Sequence, residues 1–273
     1  MPILETEEAH KARQRLDALP QPMLAHARDL AAGETIPPHS HRRAQLVYAS
    51  DGVMTVTTAH GTFVVPPYRA VWMPAGVVHR IDASGTVRMR TIYIDTEHAG
   101  SSGTGLPGEV CVLHVTPLLR ELILAAVDAP QTFPPDGPEA RLMAVILDQI
   151  QVLPVAPLSL PIPQDARLRR IADALLADPA DERTIDEWAR LAGASARTLA
   201  RLFQAETGMS FGQWRQQLRL LRALERLAAG EPVTGVALDL GYDSPSAFIA
   251  MFRRALGTTP RRYFAERPAT SGC

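Results

Sequence analysis

The chain has 273 residues, 46% of them hydrophobic and 21% charged, with a formal net charge of −1. This length allows two ordinary domains with real cores, and this balance excludes a disordered polyelectrolyte. No apolar run approaches the roughly 18 residues of a membrane span, the stretch Met1–His10 is acidic without an apolar signal core, and Cys111 and Cys273 make no disulfide framework; a cytoplasmic protein is expected.

In chain order, residues 1–20 read as a short polar helix or a loose arm. From Pro22 onward come short β-rich runs: Gln45–Ser50, Val53–Thr58, Thr62–Val65, Ala70–Met73, Val77–Ile81 and Val87–Asp95. Asp51-Gly52 and His60-Gly61 punctuate them as turns. Short strands at this spacing favour a small antiparallel barrel or sandwich. After a Gly/Ser loop at 100–108 the period becomes helical. Pro117–Val127 carries a stripe of Leu119, Leu122, Ile123 and Ala126, and Glu139–Leu153 carries one of Leu142, Val145, Ile146, Gln149, Ile150 and Leu153. The first helix also has Leu118, Leu124 and Ala125 off its stripe, so it needs burial on more than one side. One side packs on the barrel; the other meets either the rest of the same chain or a second subunit, which would make a homodimer through helices 117–127 and 139–153.

Pro154, Pro157, Pro161 and Pro163 exclude helix and central strand, so 154–163 reads as a semi-rigid linker. Beyond it all is helical. Asp165–Ala177 bears Leu168, Ile171 and Leu175 on one face; Thr184 with Glu187, and Ser210 with Gln213, are capping boxes. The second box opens a helix to about Ala229, whose 20 residues span roughly 30 Å. The fold class is α+β in two domains: an N-terminal barrel at 1–105, a helical dimerisation or packing segment at 106–153, the linker, and an all-α domain at 164–267.

Divided at the linker, the charge assigns different chemistry to the two parts. Residues 164–273 hold 16 Arg and 13 acids, net +3, whereas residues 1–163 hold 12 basic and 16 acidic groups, net −4. All eight histidines lie between His10 and His114. Guanidinium groups suit phosphates and base edges; imidazoles suit metals or proton transfer.

The helical part says nearly the same thing twice. Ser195, Phe203, Gly208 and Ser210 recur as Ser244, Phe252, Gly257 and Thr259, and Ala189 and Gly193 recur one residue closer as Ala237 and Gly241. Each copy is a helix, a Gly turn and a second helix opened by Ser, the order of a helix-turn-helix. The run Ser195-Ala-Arg-Thr-Leu-Ala-Arg-Leu-Phe203, then Glu206–Phe211, Arg219-Leu220, Ala237–Tyr242, Ser244, Phe248, Phe252 and Gly257-Thr-Thr-Pro260, resembles the signature of the AraC/XylS family of bacterial transcription regulators. The resemblance implies binding to double-stranded promoter DNA through two recognition helices. Helical periodicity turns Leu199, Leu202 and Phe203 inward, leaving Ser195, Ala196, Arg197, Ala200, Arg201 and Gln204 towards the groove. Arg197 and Arg201 stand one turn apart, and each is able to fork onto guanine or to pair with a phosphate. The second recognition helix offers Ser244, Ser246, Ile249 and Ala250, none with a long hydrogen-bonding side chain, and Arg253 for phosphate. Base reading should therefore concentrate under the first helix.

The N-terminal part holds a second constellation. His39, Ser40, His41 and, four residues on, Gln45 are followed by Pro74-Ala-Gly76-Val-Val-His79. Alternation puts His39, His41 and Gln45 on one face, and a returning strand brings His79 beside them. Three imidazoles and an amide oxygen suit a divalent transition metal. The pattern over residues 33–83 resembles the two cupin motifs, departing at Gln45 where cupins often have Glu, at Tyr68 where the second motif expects Gly, and at Ala83 where it expects Asn. A His-rich cupin on an AraC/XylS domain resembles the subgroup that includes nickel-responsive repressors of efflux genes, implying nickel or zinc as the bound ion. Two other readings stay open. One is a regulator holding an organic ligand in the barrel, where Met54, Trp72 and Met89 are able to line a pocket, although plain barrel core is the favoured role for these three. The other is a metal-dependent cupin enzyme fused to a DNA-binding domain, although no catalytic residue is assigned, since the motif holds no Asp or Glu to act as a base.

Overall fold

Two strands of 15 and 16 residues, twice the length that the sequence pattern suggests, organise the N-terminal part of this computed structural model. The structure describes residues 18–97, 106–150 and 158–265. The strands in chain order are β1 (Met23–Leu30), β2 (Thr35–His39), β3 (Ala44–Thr58), β4 (Gly61–Val65), β5 (Arg69–Met73), β6 (His79–Ile94), β7 (Cys111–His114) and β8 (Ser159–Pro161). The long β3 and β6 pair antiparallel from Ala44↔Ile94 to Thr58↔His79. Each also serves two further neighbours. β1 lies on the end of β6 and β2 on its start, while β5 lies on the start of β3 and β4 on its end. The bent pair thus belongs to two sheets at once.

Alternation along these strands sorts the side chains into two cores. Val47, Ala49, Met54, Val56, Val65, Val71, Met73, Ile81, Val87 and Met89 meet between the sheets. Ala44, Leu46, Tyr48, Trp72, Ile92 and Ile94 point the other way and are covered by two helices. These are α1 (Pro117–Val127), capped by Thr116, and α2 (Pro138–Gln149).

The strand pattern differs from expectation at Asp51-Gly52, which is a bulge inside β3 rather than a turn. The register shifts on either side of Asp51, and Gly52 has φ +82°. A Cβ there would lie 2.2 Å from the Thr86 carbonyl oxygen of β6. Gly serves a bulge as readily as a hairpin, so the dipeptide alone does not separate the two. The runs at 77–81 and 87–95 likewise merge into β6, and β1, β2 and β7 had no distinct sequence signal. In α2 the buried face is Met143, Ile146, Leu147 and Ile150; it shares Ile146 and Ile150 with the expected stripe but is rotated away from Val145, which is 41% exposed. Residues 142–147 are all apolar, so periodicity had no polar marker to fix the rotation and packing decided it. The helix ends at Gln149; positions 151–153 lie outside the described residues.

The chain divides into two units, Met1–Ser159 and Leu160–Cys273, and the division falls within the proline-rich segment. The second unit is helical: α3 (Ala166–Ala177), α4 (Ile185–Ala192), α5 (Ala196–Thr207), α6 (Phe211–Ala228), α7 (Val233–Asp239), α8 (Pro245–Leu256) and α9 (Pro260–Ala265). Both capping boxes form, Thr184 with Glu187 and Ser210 with Gln213. Ser195 and Ser244 cap α5 and α8 through the backbone N–H groups of Thr198 and Ala247. The duplication extends to the backbone, since Gly193 and Gly241 end the first helix of each copy, and Gly208 and Gly257 the second, all at φ between 64° and 79°. With 18 residues, α6 spans about 27 Å.

Gly52→Ala should destabilise the first unit by at least about 2 kcal/mol, because both the left-handed φ and the contact with rigid backbone oppose a Cβ. Urea denaturation followed by a probe in the β-sheet checks this; an unchanged midpoint would mean that the bulge relaxes freely.

Candidate functional site

His39 and His79 are register partners across β2 and β6, and His41 follows two residues beyond the strand. Their ring centroids lie 4.3 Å apart for His39 and His79, 4.9 Å for His39 and His41, and 5.6 Å for His41 and His79. One nitrogen from each ring falls within 4.8 Å of the others. The cluster is recessed: His79 is 1% exposed and His41 7%, with His39 half-buried.

Local backbone settles which nitrogens face inward chemistry. His39 Nδ1 lies 2.7 Å from the Pro37 carbonyl oxygen, and His79 Nδ1 lies 3.0 Å from that of Val77. A carbonyl only accepts, so each Nδ1 carries the hydrogen and each neutral ring keeps its lone pair on Nε2. This is the arrangement in which metal-binding imidazoles are held, with the far N–H on a backbone carbonyl.

Gln45, 1% exposed, has a similarly determined orientation. Thr91 Oγ1 donates to the Leu46 carbonyl at 3.0 Å, and therefore accepts from Gln45 Nε2 at 2.9 Å. That leaves Gln45 Oε1 buried without a hydrogen-bond donor among the described residues. A buried orphan acceptor is costly, and a cation would satisfy it. Tyr93, opposite Gln45 in the register, stacks edge-on against His41 at 4.9 Å. Sequence reasoning passed over Thr91 and Tyr93; the signal available was that they share the face of Met89 on the same strand. A cleft of about 530 Å³ lined by His41, Arg42, Arg43, Gly76, Asp95 and Glu97 opens beside the cluster. Three imidazoles and one amide oxygen fit a divalent transition ion.

The departures from the cupin pattern also have a structural outcome. Tyr68, where Gly is expected, is the one non-glycine residue at positive φ among the described residues, at 67°. The backbone has kept a glycine conformation under a different side chain. Trp72 does not join Met54 and Met89, since the two methionines lie between the sheets whereas Trp72 is on the helix-covered face, donating to the Pro107 carbonyl at 2.7 Å. The three residues therefore line no common pocket. Burial lowers the pKa of His26 and His114, with Arg28 and Arg69 respectively adding to the effect. His60 sits at the β3–β4 hairpin; His10 and His98 lie outside the described residues.

In the second unit, Leu199 and Phe203 are buried, and Ser195, Arg197, Ala200, Arg201 and Gln204 are exposed, with Ala196 half-buried. Gln204 is engaged, its Nε2 donating to the Gly208 carbonyl at 3.0 Å. On α8, Ser246, Ala250 and Arg253 are exposed, but Ser244 is half-buried at the cap and Ile249 is half-buried instead of fully outward. The structure also sorts the arginines. Arg167, Arg183, Arg215, Arg219, Arg222 and Arg226 bind acids or carbonyls of their own unit. Arg197, Arg201, Arg253, Arg254 and Arg261 are exposed, and none has an ion pair within the described residues. Composition had not separated these two groups.

An AraC-like ligand binding domain matches residues 21–187, and a helix-turn-helix domain matches residues 188–266. The chain belongs to the AraC family. Over 237 residues it is 38% identical to the HTH-type transcriptional regulator NimR of Escherichia coli strain K12, covering 87% of this chain and 85% of that one. The HTH-type transcriptional regulator RipA of Corynebacterium glutamicum is 37% identical over 103 residues, 38% of this chain and 31% of RipA. Among solved structures, ToxT from Vibrio cholerae aligns over 90% of this chain and 98% of its own, at 10% identity and a TM-score of 0.38. The AraC-family chain is a DNA-binding transcriptional regulator with a ligand-binding domain. Among its described residues no helix is long and apolar enough to cross a membrane.

Thr91→Val should cost about 1–3 kcal/mol of stability by leaving the Gln45 amide without its acceptor, and Thr91→Ser should restore most of it. Denaturant midpoints of the three proteins measure this. A valine variant as stable as the parent would remove Thr91 as the group orienting Gln45.

Proposed function

We propose that this regulator responds to a divalent transition metal held in its cupin-like N-terminal domain by His39, His41 and His79, with Gln45 Oε1 as fourth donor. The observation that carries the reading is the recessed three-histidine cluster, one nitrogen of each ring within 4.8 Å of the others, with the Nδ1 atoms of His39 and His79 on the Pro37 and Val77 carbonyls. Nickel is the first choice and zinc the second, since imidazole serves both and the resemblance noted in the sequence is to nickel-responsive repressors of efflux genes. An ion bound there supplies a positive charge that joins donors from β2, β3 and β6. The chain's own part is to hold the His39 and His79 rings by Nδ1 on backbone carbonyls and to aim the amide oxygen. The purely organic-ligand reading is weakened by Trp72 facing away from Met54 and Met89. The enzyme reading is weakened by the donor set, since the clustered groups among the described residues are three histidines and no carboxylate is one of them. The regulator is cytoplasmic in this proposal, and it pairs as a homodimer through α1 and α2. Leu118, 55% exposed, and Val145, 41% exposed, are left uncovered by the single chain there.

On DNA, Arg197 and Arg201 read bases, while Arg253 holds phosphate. Titration of operator DNA with the full chain, with and without nickel, zinc or copper, tests the sensor. Wild type should change its affinity at least about tenfold with the cognate ion, a coupling of about 1.4 kcal/mol, and His39→Ala should not respond. Equal affinity with and without every ion rules out metal response. Arg197→Ala and Arg201→Ala should each lose about 1–3 kcal/mol of discrimination at one base pair. Arg253→Ala should instead weaken all sequences alike and lower the salt slope by about 0.9. Ile249→Ala should leave base preference intact; uniform loss of preference in all four would sink this division of labour.

A further inference from the structure

We infer that Arg219 is a positioning residue for DNA recognition, setting the spacing of the two helix-turn-helix units by binding the backbone of both. It lies mid-way along α6, the helix that joins them. Its Nε donates to the Pro179 carbonyl at 2.8 Å, and Nη2 reaches the Ala180 and Asp181 carbonyls at 3.4 and 3.5 Å; all three belong to the loop leading into the first unit. Nη1 reaches the Gly241 carbonyl at 3.4 Å, in the turn of the second unit. The guanidinium also lies 5.7 Å from the Tyr242 ring.

A second observation points the same way. Gly193 and Gly241 are equivalent turn glycines, yet a Cβ on Gly193 would meet nothing within 4 Å, whereas one on Gly241 would lie 2.9 Å from Arg219 Nη2 and 3.0 Å from the Ala180 carbonyl oxygen. The second turn is therefore seated against the loop of the first unit, with the arginine between them. A planar fork with five donors spans such a set of carbonyls, and an ammonium does not. α6 alone fixes the separation of the units but leaves their rotation about its axis to side contacts. Arg226, which binds Asp239 of α7, supports the second unit without touching the loop of the first.

Two rigidly held recognition helices accept one spacing on the duplex, since each inserted base pair moves the second segment by about 3.4 Å and roughly 35°. The test uses full-length protein and duplexes that wild type enriches from a random pool, with one or two base pairs then inserted between the two contacted segments. Wild type should lose about tenfold or more in affinity per insertion, within the range of a mispositioned contact. Arg219→Met and Arg219→Lys should bind the parent duplex more weakly and discriminate against the insertions by less than about threefold, while their helical circular dichroism and the melting of the N-terminal unit, Met1–Ser159, stay as in wild type. A residue that only adds stability would leave the spacing preference unchanged below the melting temperature. The proposal is overturned by a folded variant with wild-type spacing discrimination, by a wild type indifferent to the insertions, or by failure of both variants to fold, which would make Arg219 a folding residue instead.

Discussion

The antiparallel pairing of β3 with β6 is the constraint on which the N-terminal unit depends. Because each strand is long enough to bend through two sheets, one pairing fixes the neighbours of both. Period-two alternation then decides every side chain's destination. Val47 and Met89 enter the space between the sheets, and Leu46 and Ile92 turn to the helices. The same alternation brings Gln45, Thr91 and Tyr93 to the inner face near one end. The bulge at Gly52 is what lets the pair bend without losing this order, and its close approach to Thr86 leaves no room there for a Cβ.

The DNA-binding unit solves a different problem with different means. Its helices are short, and isolated helices of this length are marginal in water, so caps and buried aromatic contacts carry much of the load. Phe203 stacks against Phe211 and Trp214 in the first copy, and Phe248 against Tyr242 and Phe252 in the second. Arginine is used twice over, as a tether to carbonyls inside the unit and as an exposed cation on the recognition helices. Net charge conflates the two uses, which is why +3 understates how many guanidinium groups face solvent.

Much of this was legible because the signals were local. Ser and Thr caps three residues before Glu or Gln, glycines at helix ends and the repeat of Ser195–Gly208 in Ser244–Gly257 each dictate nearby backbone, and the structure follows them. His39, His41 and His79 were legible as a group from strand alternation and the shared surroundings of the two segments. What escaped depended on long-range packing. Asp51-Gly52 is a bulge only because β6 runs beside it. The buried face of α2 is set by the sheet beneath it, not by its uniformly apolar run. Thr91 and Tyr93 carried only the signal of sharing a strand face with Met89, and became site residues once the register of β6 against β3 was placed; the arginine tethers escaped because backbone carbonyls leave no trace in sequence.

The position of the histidines says where a bound ion would do mechanical work on the proposed reading. β2 carries Pro37 and Pro38, which have no N–H to offer the ladder, and its pairing with β6 shifts register between Ile36 and His39. Backbone bonding is therefore thin where His39 and His41 leave the strand. Thr35 at the other end is fastened to Asp82 by a 2.7 Å hydrogen bond. Coordination would add strong bonds between β2 and β6 at the end where the ladder is weakest, so its free energy would fall mainly on the order of that segment and not on β3 and β6, which are already fixed along their length. A ligand shifts an equilibrium only by its differential affinity for two states. On the proposed reading the segment from Pro37 to Arg43, between the register shift of β2 and the start of β3, is where such states would differ.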